Sequence, residues 1–306
     1  MASTRPSALL TGCSEGGIGV ALALYLQQQA GYQVFATARK LSNMPDELAA
    51  AGCRLLELDV TKTESLEAAK NEVAQATQGR LNLLVNNAGQ GGTHIPALDT
   101  DLDAARELFD VNFFGLLATC QVFAPLLVQT AKSSSGDTRA TILNTGSVVG
   151  IRGFPLRAIY SASKSAVHAL SDSLRMELAP MGVAVTCSFT GGVKSVIGPK
   201  AKDLSKRNNN PTTGLYDHLK EKILEHATAM RGRQVKNSIT PQEYAESILP
   251  SVLSSSPPPF VYGGSHVNLF KYFWPISPAW ATDKVILKQQ GFEGLITYQS
   301  PQERAA

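Results

Sequence analysis

Ala8-Leu9-Leu10-Thr11-Gly12-Cys13-Ser14-Glu15-Gly16-Gly17-Ile18-Gly19 reads as a short apolar strand, a glycine-rich turn and the start of an apolar helix that continues to Gln29. Glycines let the backbone turn sharply and approach a ligand closely, while a helix start offers free N–H groups and partial positive charge. A glycine cluster by itself is an ordinary turn. Its position between a strand and a helix is what points to a bound pyrophosphate. Gly12, Ser14, Gly17, Ile18 and Gly19 are the candidate phosphate-binding residues.

Working outward, the alternation repeats. Strands are predicted at Gln33–Thr37, Arg54–Leu58, Leu81–Val85, Thr141–Asn144 and Val183–Phe189, with helices over Glu64–Thr77, Asp101–Lys132 (broken near Phe109-Asp110) and Ile159–Ala179. Short apolar strands alternating with helices argue for a parallel sheet covered on both faces. After the second strand comes Arg39-Lys40, with no acid there to hold ribose hydroxyls. Basic residues about 20 positions beyond the glycines accommodate a 2′-phosphate, so NADP is favoured over NAD. Asp59 and Val60 follow the third strand, where Asp59 is placed to meet the adenine, and Asn87-Ala88-Gly89 after the fourth offers small residues beside a cofactor.

Composition narrows the class. The 306 residues are 43% hydrophobic and 17% charged, with net charge +3, which excludes a disordered chain and gives no reason to expect nucleic acid. Cys13, Cys53, Cys120 and Cys187 are scattered; without paired Cys/His spacing they predict reduced buried thiols, neither disulfides nor a metal site. The amino terminus lacks the apolar core of a signal peptide, and no stretch is expected to reach the ~18 apolar residues of a membrane span. A cytoplasmic protein is expected.

The chemistry centres on Tyr160-Ser161-Ala162-Ser163-Lys164, opening a long helix. Residues four apart share a helix face. A phenol, with an unperturbed pKa of about 10, is a poor acid–base group at neutral pH; a nearby ammonium favours its phenolate and suits it to exchanging a proton with a carbonyl or alcohol oxygen. Alone the pair is a weak signal.

With Thr11 to Gly19, Asn86-Asn87-Ala88-Gly89, Asn112, Ser147 and Tyr160/Lys164 in that order, and Ser147 thirteen residues before Tyr160, the chain resembles the short-chain dehydrogenase/reductase family in its shorter subdivision. The resemblance is close over Ala8 to Ser195 and looser beyond. It implies a Rossmann-type doubly wound α/β sheet over residues 1–262, a substrate-covering loop at about 194–235, and an aromatic-rich extension over 263–306. It further implies a tetrad. Tyr160 donates a proton to a carbonyl, Ser147 orients that carbonyl, Lys164 tunes the phenol and holds the nicotinamide ribose, and Asn112 anchors a water linking Lys164 to solvent. NADPH is the implied cofactor, with Val193 and Ser195 meeting its nicotinamide and pyrophosphate. Two departures stand out: the glycine turn is one residue longer than the common pattern, and Thr190-Gly191 replaces Pro-Gly.

Segments such as Asn86–Gln90, Ile159–Lys164 and Phe189–Val193 look most like those of fungal NADPH-dependent 1-acyldihydroxyacetone-phosphate reductases and related reductases of fungal secondary metabolism. The expected substrate is a hydrophobic ketone. Lys194, Lys200, Lys202, Lys206 and Arg207 in the loop, with Arg152 and Arg157 between Ser147 and Tyr160, suit a phosphate or carboxylate on it. A polyketide or terpenoid ketone is the alternative, as is a non-redox scaffold or cyclase on the same fold. A dimer or tetramer paired through the two long helices is expected. Phe270 to Trp274 in the tail allow contact with an acyl chain, or peripheral contact with the cytosolic face of the endoplasmic reticulum or lipid droplets.

Overall fold

The computed structural model describes residues 5–133, 140–195, 214–216, 221, 223 and 238–290. Most of the expected substrate loop, with the helix predicted over 215–229 and the basic residues Lys200, Lys202, Lys206 and Arg207, lies outside the described residues. Of the loop expected at Ser133-Ser134-Ser135-Gly136, all but Ser133 lie outside the described residues.

Seven strands form one sheet: Ser7–Leu10 (β1), Gln33–Ala38 (β2), Arg54–Glu57 (β3), Leu83–Asn86 (β4), Ala140–Thr145 (β5), Val183–Thr190 (β6) and Phe260–Gly263 (β7). All neighbours are parallel, in the order β3-β2-β1-β4-β5-β6-β7. Every residue of β1, β4 and β5 is buried, as a sheet covered on both faces requires. Alternation divides the side chains: Ala8 and Leu10 enter one apolar core with Ile18, Leu22 and Ile248, while Leu9 enters the other with Leu66, Phe123 and Val167. The first core is closed by the helices Ile18–Leu24 (α1), Asp46–Ala50 (α2) and Pro241–Val252 (α7). The second is closed by Thr63–Thr77 (α3), Gly115–Ser133 (α5) and Ala158–Leu178 (α6). This is the doubly wound Rossmann-type architecture, and its strand order reverses between β1 and β4.

Local chemistry explains several boundaries. At the start of α7, the Thr240 hydroxyl accepts from Glu243 N–H while the Glu243 carboxylate accepts from Thr240 N–H, a reciprocal cap followed by Pro241 in the first turn. The break expected near Phe109-Asp110 is instead a widened turn. Leu102–Phe109 (α4) runs through a π-helical turn, Asp110–Phe114, directly into α5. The helix absorbs the extra residue without ending, as π-turns do at functional sites, and this one carries Asn112.

The resulting stretch Leu102–Ser133 is long and apolar enough by composition to cross a membrane, which corrects the expectation that no segment reaches that length. Here it supplies core: Leu116, Phe123 and Leu127 are buried with α3 and the sheet. All four cysteines are free and buried, as expected. The periodicity did not reveal α2, one short turn beyond β2, or the helix Ala279–Gln290 (α8). Between β7 and α8, Phe270 and Trp274 stack at 4.5 Å and join Ile286, Val148, Val149, Phe189 and Tyr160 in a third apolar cluster. The aromatic segment thereby forms one wall over the carboxyl ends of the central strands.

Candidate active site

A cleft of about 550 Å³ opens over those strand ends and reaches from the glycine turn to Tyr160 and Phe270. In a doubly wound sheet the loops part where the strand order reverses, so this is where a ligand fits.

At one end the extra turn residue finds its place. Gly17 N–H donates to the Ser14 carbonyl at 3.0 Å, closing a turn in which Gly16 takes a φ of +69°. Glu15 and Gly16 are exposed on its outside, while Gly12, Ser14, Gly17 and Ile18 line the cleft. Helix α1 has no side-chain cap at Gly17, which leaves its first N–H groups for a ligand. Gly12 is held at φ +78°, and a Cβ there would sit 2.8 Å from Ala88 Cα. The Asn87 amide donates to the Thr11 and Gly12 carbonyls at 3.0 and 3.1 Å, and Thr11 Oγ1 accepts from the N–H groups of Asn87 and Ala88. Asn87 therefore stitches β4 to the glycine turn. Gly19 is not on the cleft wall: a Cβ there would fall 2.5 Å from the Gly12 carbonyl, so its work is packing.

Arg39 lines the cleft and Lys40 does not. Among the described residues Arg39 has no carboxylate within ion-pair distance. Asp59, beside it, is raised by burial, but hydrogen bonds from the Thr61 hydroxyl and N–H, with the charges of Arg39 and Lys62, outweigh that and hold it below the usual carboxylate range. Val60, Ala88 and Gly89 continue the wall. A tight glycine cradle at one end and an unpaired guanidinium beyond β2 fit a phosphorylated dinucleotide.

The other end gathers Ser147, Tyr160 and Lys164 on the cleft, each buried. Tyr160 and Lys164 are one turn apart on α6, with Lys164 Nζ 6.0 Å from the phenol ring centre and donating to the Thr145 carbonyl at 2.7 Å. Among the described residues the Tyr160 hydroxyl makes no hydrogen bond. Ser147 Oγ makes only a long one, 3.3 Å to the Thr190 carbonyl, and accepts from Val149 N–H at 3.4 Å. Two hydroxyls thus face the cleft with capacity to spare.

Asn112 lies behind this layer, fully buried and off the cleft wall. Its Oδ1 accepts from Gln90 N–H at 2.7 Å, and its amide donates to the Gln90 carbonyl and to Ser163 Oγ. Gly89 lies close to both Asn112 and Lys164: a Cβ there would stand 3.3 Å from Asn112 Oδ1 and 3.8 Å from Lys164 Nζ. Val193 and Ser195 line the cleft.

The short chain dehydrogenase family pattern matches residues 6–205. The chain belongs to the short-chain dehydrogenase/reductase family. An NADPH-dependent 1-acyldihydroxyacetone phosphate reductase from Schizosaccharomyces pombe is 38% identical over 245 residues, covering 80% of this chain and 77% of that protein. The short-chain dehydrogenase ptmH from Penicillium ochrochloron is 35% identical over 288 residues, covering 94% and 98%. A Burkholderia cenocepacia short chain dehydrogenase in complex with NADP superposes with a TM-score of 0.68 over 94% of this chain and 99% of its own, at 23% identity, a likeness of fold.

Three contacts within this short-chain dehydrogenase/reductase site escaped the sequence. His168 Nε2 accepts from Ser147 N–H at 3.2 Å, under Gly146 and Gly150, where any Cβ would strike the ring. Burial first, and the Lys164 charge second, lower its pKa to about 4, keeping it a neutral acceptor. One further turn along from Tyr160 and Lys164, it sits on the same helix face; that spacing was the available signal. Thr11 carries the β1–β4 stitch. Arg157 stacks on Tyr160, its Cζ 4.6 Å from the ring centre.

Proposed function

We propose that this protein is an NADPH-dependent reductase of a hydrophobic ketone, with Tyr160 as the proton donor. The observation that carries the reading is the Tyr160 hydroxyl, without an intramolecular partner among the described residues, in a cleft shared with Ser147 and the buried ammonium of Lys164. NADPH supplies the hydride when bound. Gly12, Ser14, Gly17 and Ile18 would hold its pyrophosphate, Arg39 its 2′-phosphate, Asp59 and Val60 its adenine end, and Val193 and Ser195 its nicotinamide end. Lys164 would hold the nicotinamide ribose. Tyr160 Oη gives its proton to the carbonyl oxygen, and Ser147 Oγ exchanges its long bond to Thr190 for a shorter one to that same oxygen. His168 keeps Ser147 in place. The space beside Gly89, bordered by Asn112 Oδ1 and Lys164 Nζ, suits a water that returns protons from solvent to Lys164. A non-redox scaffold has no need of this set of donors.

The substrate we favour is a 1-acyldihydroxyacetone phosphate, on the strength of the Schizosaccharomyces pombe relative and of a substrate end walled by Phe154, Phe270 and Val149. A neutral polyketide or terpenoid ketone is the second reading, favoured by near full-length likeness to a Penicillium short-chain dehydrogenase. The test is NADPH oxidation with palmitoyl-dihydroxyacetone phosphate against a panel of neutral cyclic and polyketide ketones. Turnover of neutral ketones alone rejects the lipid and leaves the reductase standing; turnover of none rejects both.

The proposal extends to location and assembly. Tyr272, Ile276 and Trp280 are 63%, 83% and 73% exposed, with Lys271 and Lys284 beside them. Aromatics and cations together suit a cytoplasmic protein held at an anionic lipid surface. Co-sedimentation with phosphatidylserine vesicles, lost in Ile276→Ser/Trp280→Ser, would support it. A homodimer or tetramer remains our reading of assembly, to be measured by light scattering.

A further inference from the structure

The loop between Ser147 and Tyr160 ends in a feature that the tetrad does not use. Leu156 is buried yet held at φ +62°, a left-handed conformation that costs a non-glycine residue about 1–2 kcal/mol. The next residue is Arg157, whose N–H donates to the Phe154 carbonyl and whose carbonyl accepts from Ser161 N–H, fixing it at the start of α6. It lines the cleft, as do Phe154, His266 and Phe270.

Among the described residues that guanidinium forms no salt bridge and no hydrogen bond, and its Nε is fully buried without a partner. Its Cζ lies over the Tyr160 ring, 4.6 Å from the centre, a cation–π contact that takes up none of its N–H donors in a hydrogen bond to an acceptor. Among the described residues the one acid on the cleft wall, Asp59, is engaged with Thr61 near Arg39. Burial lowers the pKa of Arg157, with the Tyr160 charge acting in the opposite sense. A half-buried cation whose Nε is shut off from water without a partner is costly, and the left-handed backbone beside it marks a group held for use.

We infer that Arg157 is the anion site of the substrate pocket and takes the phosphate monoester of a ketone whose carbonyl meets Tyr160. Stacked on the ring that carries the acid, it reads an anion only a few bonds from the carbonyl, while Phe154 and Phe270 are left for the apolar remainder. A fork of donors suits bidentate phosphate. The inference deepens the reductase reading and rests on it for the choice of ketone.

The test is calorimetric titration of the NADP-loaded protein, where no turnover occurs, with hexanoyl-dihydroxyacetone phosphate and with its neutral counterpart, hexanoyl-dihydroxyacetone. Wild type should bind the phosphate more tightly. Arg157→Gln should weaken the phosphate by about 10- to 100-fold, the scale of charge-assisted hydrogen bonds, and the neutral ketone by less than about threefold. Arg157→Lys should keep part of the preference, because it retains the charge without the fork. Equal weakening of both ligands would assign Arg157 to packing or to tuning Tyr160 and overturn the inference. So would unchanged phosphate binding, or a wild type that does not distinguish the two. Should the Gln variant fail to melt cooperatively, competition by inorganic phosphate against the phosphate ester on wild type decides: no competition overturns it. Turnover is scored separately with NADPH. A protein that binds the phosphate through Arg157 but oxidises NADPH with neither ketone would reject the reductase reading and leave the anion site standing.

Discussion

Tyr160→Phe separates folding from chemistry at a single oxygen. The ring belongs to the apolar cluster with Val148, Val149, Phe189 and Phe270 and lies beneath the Arg157 guanidinium. Phe preserves both contacts. Because the hydroxyl has no intramolecular partner among the described residues, its removal breaks no hydrogen bond, and stability should change by no more than about 0.5 kcal/mol. Lys164 is held independently by the Thr145 carbonyl at 2.7 Å, so NADPH affinity should persist. The transferable proton is lost, however. Reduction should fall by at least ~100-fold, equivalent to about 2.7 kcal/mol of transition-state stabilisation. The assay combines thermal denaturation, NADPH titration and loss of NADPH absorbance with a ketone that the wild type reduces. A well-folded variant that binds NADPH and retains a third of kcat/KM would refute the assignment of Tyr160 as the acid. A large fall in Tm would show that the hydroxyl has a structural role not evident from its surroundings.

Three other outcomes follow from the site. Arg39→Ala should weaken NADPH by about ten- to a hundredfold and leave NADH nearly unchanged; equal Kd values for the two cofactors in wild type would count against the 2′-phosphate role. His168, unfolded, has a pKa of about 6.5, whereas the folded ring sits at about 4, so its contribution is complete above pH 6.5 and is lost as pH falls from there through 4, by up to about 3 kcal/mol. Urea midpoints should therefore fall more on acidification in wild type than in His168→Asn, and parallel curves would exclude the histidine as the cause. Gly89→Ala places a methyl 3.3 Å from Asn112 Oδ1 and 3.8 Å from Lys164 Nζ; it should slow turnover several-fold and raise the solvent isotope effect with little change in Tm, and an unaltered isotope effect would remove the proposed water path.

The sequence by itself determined the sheet and its partners. Strands such as Ala8–Leu10 are apolar without interruption, Thr141–Asn144 carries an apolar pair at its centre, and both alternate with helical periods, a pattern that permits few arrangements other than a parallel sheet covered on both faces. It also put Tyr160 and Lys164 on one helix face, and the resemblance to the short-chain dehydrogenase/reductase family added Ser147 to them. Tertiary structure decided what depends on contacts between distant segments. The extra residue of the glycine turn is carried on its outer side by the bond from Gly17 to Ser14, a choice set by where Asn87 and Ala88 press on Gly12. Gly19 and Lys40, both candidate ligands by position, face away from the cleft, since spacing along a chain fixes distance but not the direction of a loop. His168 gains its meaning only when β5 brings Ser147 beneath it. Arg157 was legible as a basic residue near the site. That its guanidinium lies over Tyr160, with no ion pair among the described residues, was decided only by the tertiary structure, where the left-handed turn at Leu156 sets the start of α6.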